Sequence, residues 1–270
     1  MFMVHLYQSL INTAKFGYQS KIIEDSLSNS VSNLGLIYKS ILLGNILLRF
    51  LINNEDRPIG LLLPNIVPTA IVFFSTQYLD KTVAIINFTS GSKNITSCLK
   101  KSNIKYIITS RKFINQGNLE PLIKEIEEKS YKFIYLEDIK ERLSLKDKII
   151  AIKDFFLNIF MLKKLNTDKN AVILYTSGTE SDPKGVGLTH QNLFFNRMQV
   201  LKSLKISKKE KFFTCLPFFH SFGLGIGVLL PVLHGCKVFL YPTPLHFQTI
   251  PKIIEDTKST VFFSTDTSKK

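Results

Sequence analysis

Ala171-Val-Ile-Leu-Tyr-Thr-Ser-Gly-Thr-Glu-Ser-Asp-Pro-Lys-Gly-Val-Gly-Leu-Thr-His190 is the stretch on which the reading of this chain turns. The apolar run Ala171–Tyr175 has the length and β-branched content of a buried strand. It stops at Thr176, Ser177, Gly178 and Thr179, with Ser181 beyond, so the pattern predicts a strand, a polar loop and then a helix start. Such a loop suits an anion. Small residues let backbone N–H groups approach oxygens closely, hydroxyls add donors, and Lys184 supplies a point charge whose direction Pro183 helps to fix. A nucleotide phosphate matches that chemistry.

Neither G-x-x-x-x-G-K-[ST] nor G-x-G-x-x-G occurs in the loop. Instead, Tyr175-Thr-Ser-Gly-Thr-Glu-Ser-Asp-Pro-Lys-Gly-Val186 resembles the phosphate loop of the adenylate-forming enzymes: acyl- and aryl-CoA synthetases, luciferases and peptide-synthetase adenylation domains. The usual form there is Y-T-S-G-[ST]-[TE]-G-x-P-K-G-V, and the spacing agrees throughout. The resemblance implies that Thr176, Ser177, Gly178 and Thr179 hold the phosphates of ATP, with Lys184 as the loop cation and Mg²⁺ bridging the nucleotide oxygens. Fixed N–H groups, hydroxyls and a lysine at that point stabilise the charge that builds when a carboxylate attacks the α-phosphate. Ser181 stands where the family has glycine. A serine strains a positive-φ site, and Glu180 and Asp182 repel a polyphosphate, so weak ATP binding is expected. No residue is assigned to a metal.

Composition narrows the class. At 270 residues with 45% hydrophobic content, the chain can bury a large core and is not a disordered segment. The net charge of +14 comes from basic residues scattered through 100–105, 129–169 and 202–211, with no interleaved aromatic stripe, zinc pattern or nucleic-acid module. Solvated faces, an anionic membrane surface or an acidic carrier protein account for it better than nucleic acid does. Cys98, Cys215 and Cys236 lack paired or metal-ligand spacing and read as reduced core residues. The first ten residues lack the features of a secretory signal, which predicts a cytoplasmic setting.

Taken in order, residues 6–16 and 36–52 carry apolar residues at helical spacing, and 22–25 reads as a short strand with a turn over 26–33. From Pro58 onward, strands at 59–63, 83–86, 106–109 and 133–136 alternate with helices at 67–79, 94–101 and 119–129. A long amphipathic segment covers 145–165. Beyond the loop, a helix at 189–204 is followed by strands at 212–216, 238–241 and 261–264 and helices at 223–233 and 247–257. The alternation predicts an α/β fold of layered parallel sheets flanked by helices. The polar stretch at 166–169 suggests two subdomains, 1–168 and 169–270, the second carrying the loop. Phe212–Leu233 holds no charge over 22 residues, long enough to span a bilayer. Pro217, His220, Pro231 and the glycines favour a strand, turn and helix instead.

Leu216-Pro-Phe-Phe-His-Ser-Phe-Gly-Leu224 is the second stretch with chemical content. A lone histidine beside aromatics is ordinarily a core residue. Its place some thirty residues after the phosphate loop makes it similar to the family's second core motif. That resemblance gives His220 the acyl carboxylate to orient and gives Phe219, Phe222 and Gly223 the acyl tunnel to shape, with Lys184 and His220 as the catalytic pair. Leu61-Leu-Leu-Pro-Asn65, Asn87-Phe-Thr-Ser-Gly91, Leu136-Glu-Asp138 and Phe239-Leu-Tyr-Pro-Thr-Pro-Leu-His246 look like the synthetase half of bacterial 2-acylglycerophosphoethanolamine acyltransferase / acyl-[acyl-carrier-protein] synthetase. In that group a fatty acid is activated by ATP, passed to acyl carrier protein and used to reacylate lysophospholipid.

The resemblance also implies later motifs: Tyr-Gly-x-Thr-Glu, a ribose-binding aspartate, a hinge and a lysine on a mobile domain. None occurs in these 270 residues. The expectation is therefore a truncated N-terminal portion of an acyl-adenylate-forming ligase that is not active alone. Two alternatives stand beside it: one chain of a split ligase completed by a separate polypeptide, and a non-catalytic module that binds acyl groups or a carrier protein. The implied location is cytoplasmic, with peripheral contact at the inner face of the membrane.

Overall fold

The computed structural model describes residues 4–17, 20–52, 54, 56–161, 165–176 and 183–264. The chain forms two compact units that share it discontinuously: 1–37, 64–71 and 190–270 make one, and 38–63 and 72–189 make the other.

In chain order the elements are α1 (Leu6–Phe16), β1 (Ile23–Asp25), β2 (Ser30–Val31), α2 (Asn33–Phe50), β3 (Ile59–Leu61), α3 (Val67–Tyr78), β4 (Val83–Ile85), α4 (Ser92–Lys101), β5 (Tyr106–Thr109), α5 (Arg111–Gln116), α6 (Glu120–Glu127), β6 (Lys132–Tyr135), α7 (Leu136–Glu141), α8 (Leu145–Phe160), β7 (Asn170–Thr176), β8 (Lys184–Thr189), α9 (His190–Leu204) and β9 (Lys211–Thr214). A π-helical segment, Gly223–Leu229, then leads into α10 (Leu230–His234), β10 (Lys237–Leu240), α11 (Ile250–Asp256) and β11 (Val261–Phe262).

The second unit is built on a six-stranded sheet in the order β6-β5-β3-β4-β7-β8. Its first five strands are parallel, and β8 runs antiparallel to β7. Every residue of β3, β4 and β5 is buried, as the inner strands of a parallel sheet covered on both faces must be. Leu62, Ala84, Ile86, Ile95, Leu99 and Ile107 anchor the core on one side of it. The polar stretch at 166–169 joins α8 to β7, both of which belong to this unit.

The first unit holds a five-stranded sheet in the order β11-β9-β10-β1-β2, parallel except for β2. Ile23 pairs with Val238, so the chain's earliest strand lies beside one of its latest. Phe213, Cys215, Tyr241 and Ile250 form a core cluster in this unit. The layered, mostly parallel α/β architecture agrees with the alternation in the sequence. The uncharged run 212–233 divides into strand, turn and helix, and among the described residues no helix is long and apolar enough to cross a membrane. The three cysteines are free and buried.

One local reading is corrected. The helix expected at 189–204 is present as α9 from His190, but a strand that the sequence did not announce, β8, lies between the loop and that helix. The ladder with β7 runs from Thr176 opposite Lys184 to Asn170 opposite Thr189, and its backbone hydrogen bonds outweigh the poor strand propensity of Lys184-Gly-Val-Gly187.

Candidate functional site

Two places carry the residues that the sequence singled out, one in each unit. In the second unit, β7 and β8 form the stem of a hairpin whose tip is the phosphate-loop candidate. Ala171, Val172 and Leu174 fix β7 in the sheet. Both strands of the stem are tied to the end of α4. The Tyr175 hydroxyl donates to Ser102 Oγ at 2.7 Å, and Lys101 Nζ donates to the carbonyl of buried Pro183 at 3.2 Å. Burial pushes the Tyr175 phenol well above its ordinary value, so it remains a neutral donor.

Thr176 and Lys184 are the last paired residues before the loop. Directly opposed residues project from the same face of a sheet, so a hydroxyl and an ammonium emerge side by side, and both residues are exposed. That donor set fits phosphate oxygens. Ser177, Gly178 and Thr179, together with the departing Ser181, lie outside the described residues.

In the first unit, the turn between β9 and the π-helical segment carries His220. Asn65, buried, spans this turn: its Nδ2 donates to Leu216 O at 2.6 Å and its Oδ1 accepts from Phe218 N–H at 2.9 Å. The turn closes with His220 N–H donating to Pro217 O at 3.0 Å. Asn65 is itself held through the start of α3, where the buried Asp25 carboxylate accepts from Val67 N–H at 2.9 Å while also accepting from Leu27 and Asn29.

The His220 ring is exposed, and its Nδ1 accepts from Phe222 N–H at 3.3 Å. In its neutral form the ring then carries its proton on Nε2. Phe219 and Phe222 flank it, both half-buried. Gly223 is buried for a steric reason: a Cβ there would lie 2.2 Å from Pro217 O and 2.6 Å from Leu216 O. The helix that follows is widened, with Leu230 N–H reaching Gly225 O five residues back and the Thr214 hydroxyl donating to Gly227 O at 2.8 Å. Single π-helical turns of this kind are frequent at functional sites.

Sequence reading missed Asn65 and Asp25 as supports, because the partners that make them supports lie far away along the chain, 151 and 153 residues from Asn65 and 42 from Asp25. It also missed a cavity of about 770 Å³ in the first unit, lined by Tyr241, Leu245, His246, Phe247, Lys252 and Ile253, among others. The Tyr241 hydroxyl and His246 Nδ1 lie 2.7 Å apart at its wall. The only sequence signal was the Phe239–His246 stretch, which had served for the resemblance alone.

Comparison with known proteins adds to this geometry. The family model described as AMP-binding enzyme matches residues 41–268. A medium-chain-fatty-acid–[acyl-carrier-protein] ligase of Teredinibacter turnerae is 24% identical over 223 residues, which is 73% of this chain and 34% of that protein. Among solved structures, an inhibitor-bound N-terminal domain of FACL13 from Mycobacterium tuberculosis superposes with a TM-score of 0.83 at 18% identity, covering 98% of this chain and 64% of that one. The o-succinylbenzoate coenzyme A synthetase of Bacillus subtilis, in complex with ATP and magnesium ion, gives 0.75 at 18% identity, with 94% and 62% covered. At this identity the solved structures establish the fold. The chain spans about a third of the length of the curated relatives it matches.

Proposed function

Because the chain belongs to the AMP-binding enzyme family, we propose that its hairpin and its histidine turn serve an ATP-dependent ligase that converts a fatty acid to an acyl-adenylate. The observation that carries this reading is the pairing of Thr176 with Lys184 at the mouth of a hairpin whose two strands are fixed to α4. Lys184 meets the charge of the phosphates and Thr176 donates to one oxygen, with Ser177, Gly178 and Thr179 completing the loop. His220, holding its proton on Nε2, donates to the acyl carboxylate and orients it for attack. The carboxylate oxygen forms a bond to the α-phosphorus and pyrophosphate leaves, and electrostatic preorganisation lowers the barrier. Mg²⁺ enters with the nucleotide as part of the substrate.

Acyl carrier protein as acceptor is supported by the ligase of T. turnerae, whose own name gives that partner. Reacylation of lysophospholipid, a second polypeptide supplying the remaining family motifs and a peripheral position at the inner face of the membrane complete the proposal. Titration calorimetry with ATP tests the hairpin: binding weaker than micromolar, about −8 kcal/mol, is expected, and it should weaken further in Lys184→Ala. Binding indifferent to Lys184 overturns the assignment, whereas sub-micromolar binding overturns only the expectation that Glu180, Ser181 and Asp182 weaken the hairpin's hold on ATP.

A second reading, a non-catalytic acyl-binding module, is favoured by the cavity, whose Leu245, Phe247 and Ile253 suit a hydrocarbon chain and whose Lys252 suits a carboxylate. Retention of a fluorescent fatty acid in the absence of ATP, lost in Lys252→Ala, would support it.

A further inference from the structure

The structure assigns to α8 a second surface, one that seats the protein on an anionic lipid bilayer. This deepens the peripheral setting proposed above and does not depend on the adenylation chemistry. Leu145, Ile149, Ile152, Phe156 and Phe160 follow one another at three- and four-residue steps, which aligns them in a single stripe along the helix. All five are exposed: Leu145 by 76%, Ile149 by 68% and Phe160 by 78%, with Ile152 and Phe156 near half. An apolar stripe so open is unusual on a surface facing only water.

The charges on this helix are sorted. At 100° per residue, Lys146 and Lys153 border the stripe on one side and Lys148 borders it on the other, and all three are exposed. Both acids of the helix point the opposite way, into the protein. Asp147 is buried and ion-paired with Arg49 of α2, and Asp154 accepts from Asn45 Nδ2 at 2.7 Å. Phe155 packs edge-on against Tyr38, again on the α2 side. The outer half of α8 therefore presents bulky apolar side chains fringed by lysines, with no carboxylate among them. That is the pattern of a helix lying in the interface of a membrane, with its apolar side among acyl chains and its lysine heads at anionic headgroups. A second copy of the chain fits less well, since apposing two such stripes brings their lysine fringes together.

The test is flotation of the full chain with phosphatidylcholine vesicles and with vesicles containing roughly one-third phosphatidylglycerol. Binding to the anionic vesicles is expected, weakening as salt rises. Lys146→Gln with Lys153→Gln should lower the partition coefficient on the order of tenfold, and Ile149→Glu with Phe156→Glu should abolish binding. These positions are exposed, so circular dichroism and the melting temperature should match wild type. The chain contains no Trp, which makes Ile149→Trp a single reporter whose emission should shift to the blue on anionic vesicles. No flotation by the wild type overturns both the peripheral setting and the docking helix. Flotation that the α8 variants leave unchanged overturns the helix alone. A dimer that Ile149→Glu with Phe156→Glu converts to monomer, with vesicle binding intact, reassigns the stripe to contact between copies.

Discussion

Replacing Asn65 with alanine should release the turn that carries His220. The side-chain amide holds that turn by two buried hydrogen bonds, to Leu216 O at 2.6 Å and from Phe218 N–H at 2.9 Å. Leu216 and Phe218 are themselves buried, so water cannot stand in for the missing amide. Each backbone group left without a partner costs about 1–3 kcal/mol, and the two together roughly 2–6 kcal/mol. Hydrogen exchange at the Phe218 amide reads one of the two losses directly, and 1–3 kcal/mol corresponds to an acceleration of about 5- to 150-fold. Asn65→Asp keeps an acceptor for Phe218 but sets an oxygen against Leu216 O, so it should protect the Phe218 amide better than alanine does while still lowering overall stability. Unchanged exchange at Phe218 in a folded Asn65→Ala protein would refute the idea that this amide positions the histidine turn.

Gly223→Ala should destabilise the first unit by about 3 kcal/mol or more, because the new Cβ meets two backbone carbonyls that have nowhere to go. Gly225→Ala, whose Cβ meets nothing within 4 Å, should be neutral or stabilising by about 0.5–1 kcal/mol in thermal melts. The Asp147 carboxyl, held at about 2 by the Ser144 backbone N–H, the Arg49 guanidinium and the Ser144 hydroxyl, stabilises the fold above its ordinary value of 3.8. That contribution should fade as pH falls from about 4 towards 2, and in Asp147→Asn the part of the acid-induced loss of melting temperature due to this group should be absent. Burial pushes the Cys215 thiol up to about 11 and the Cys236 thiol up to about 12, so iodoacetamide at pH 8 should leave both unmodified in the native protein and label them once it is unfolded.

The two sheets and most of their helices were legible because a buried strand between amphipathic helices leaves a local record. Ile59–Leu61, Val83–Ile85 and Tyr106–Thr109 are apolar runs of the right length, and the segment from 145 announced α8. The capping box at Ser144 and Asp147 makes its start sharp. β8 was not legible, since Lys184-Gly-Val-Gly187 has little strand propensity of its own and is extended by its ladder with β7. The short α5 and α7 were also passed over, each only six residues long and without room for a periodic pattern. The discontinuous division of the chain follows from pairings such as Ile23 with Val238, which no local signal reports. Of the candidate residues, Lys184 in one unit and His220 in the other could be named from motifs, whereas the residues that support each, Ser102 and Lys101 for the first and Asn65 and Asp25 for the second, are defined only by three-dimensional neighbours.

Fatty-acid-dependent exchange of labelled pyrophosphate into ATP tests the central claim most directly, run with this chain alone and with a polypeptide carrying the remaining motifs of the AMP-binding family. The account predicts exchange in the combined reaction that requires the fatty acid and falls on the order of 10²–10³-fold in Lys184→Ala. Exchange that ignores the fatty acid or survives the loss of Lys184, or no exchange in either arrangement, would contradict it.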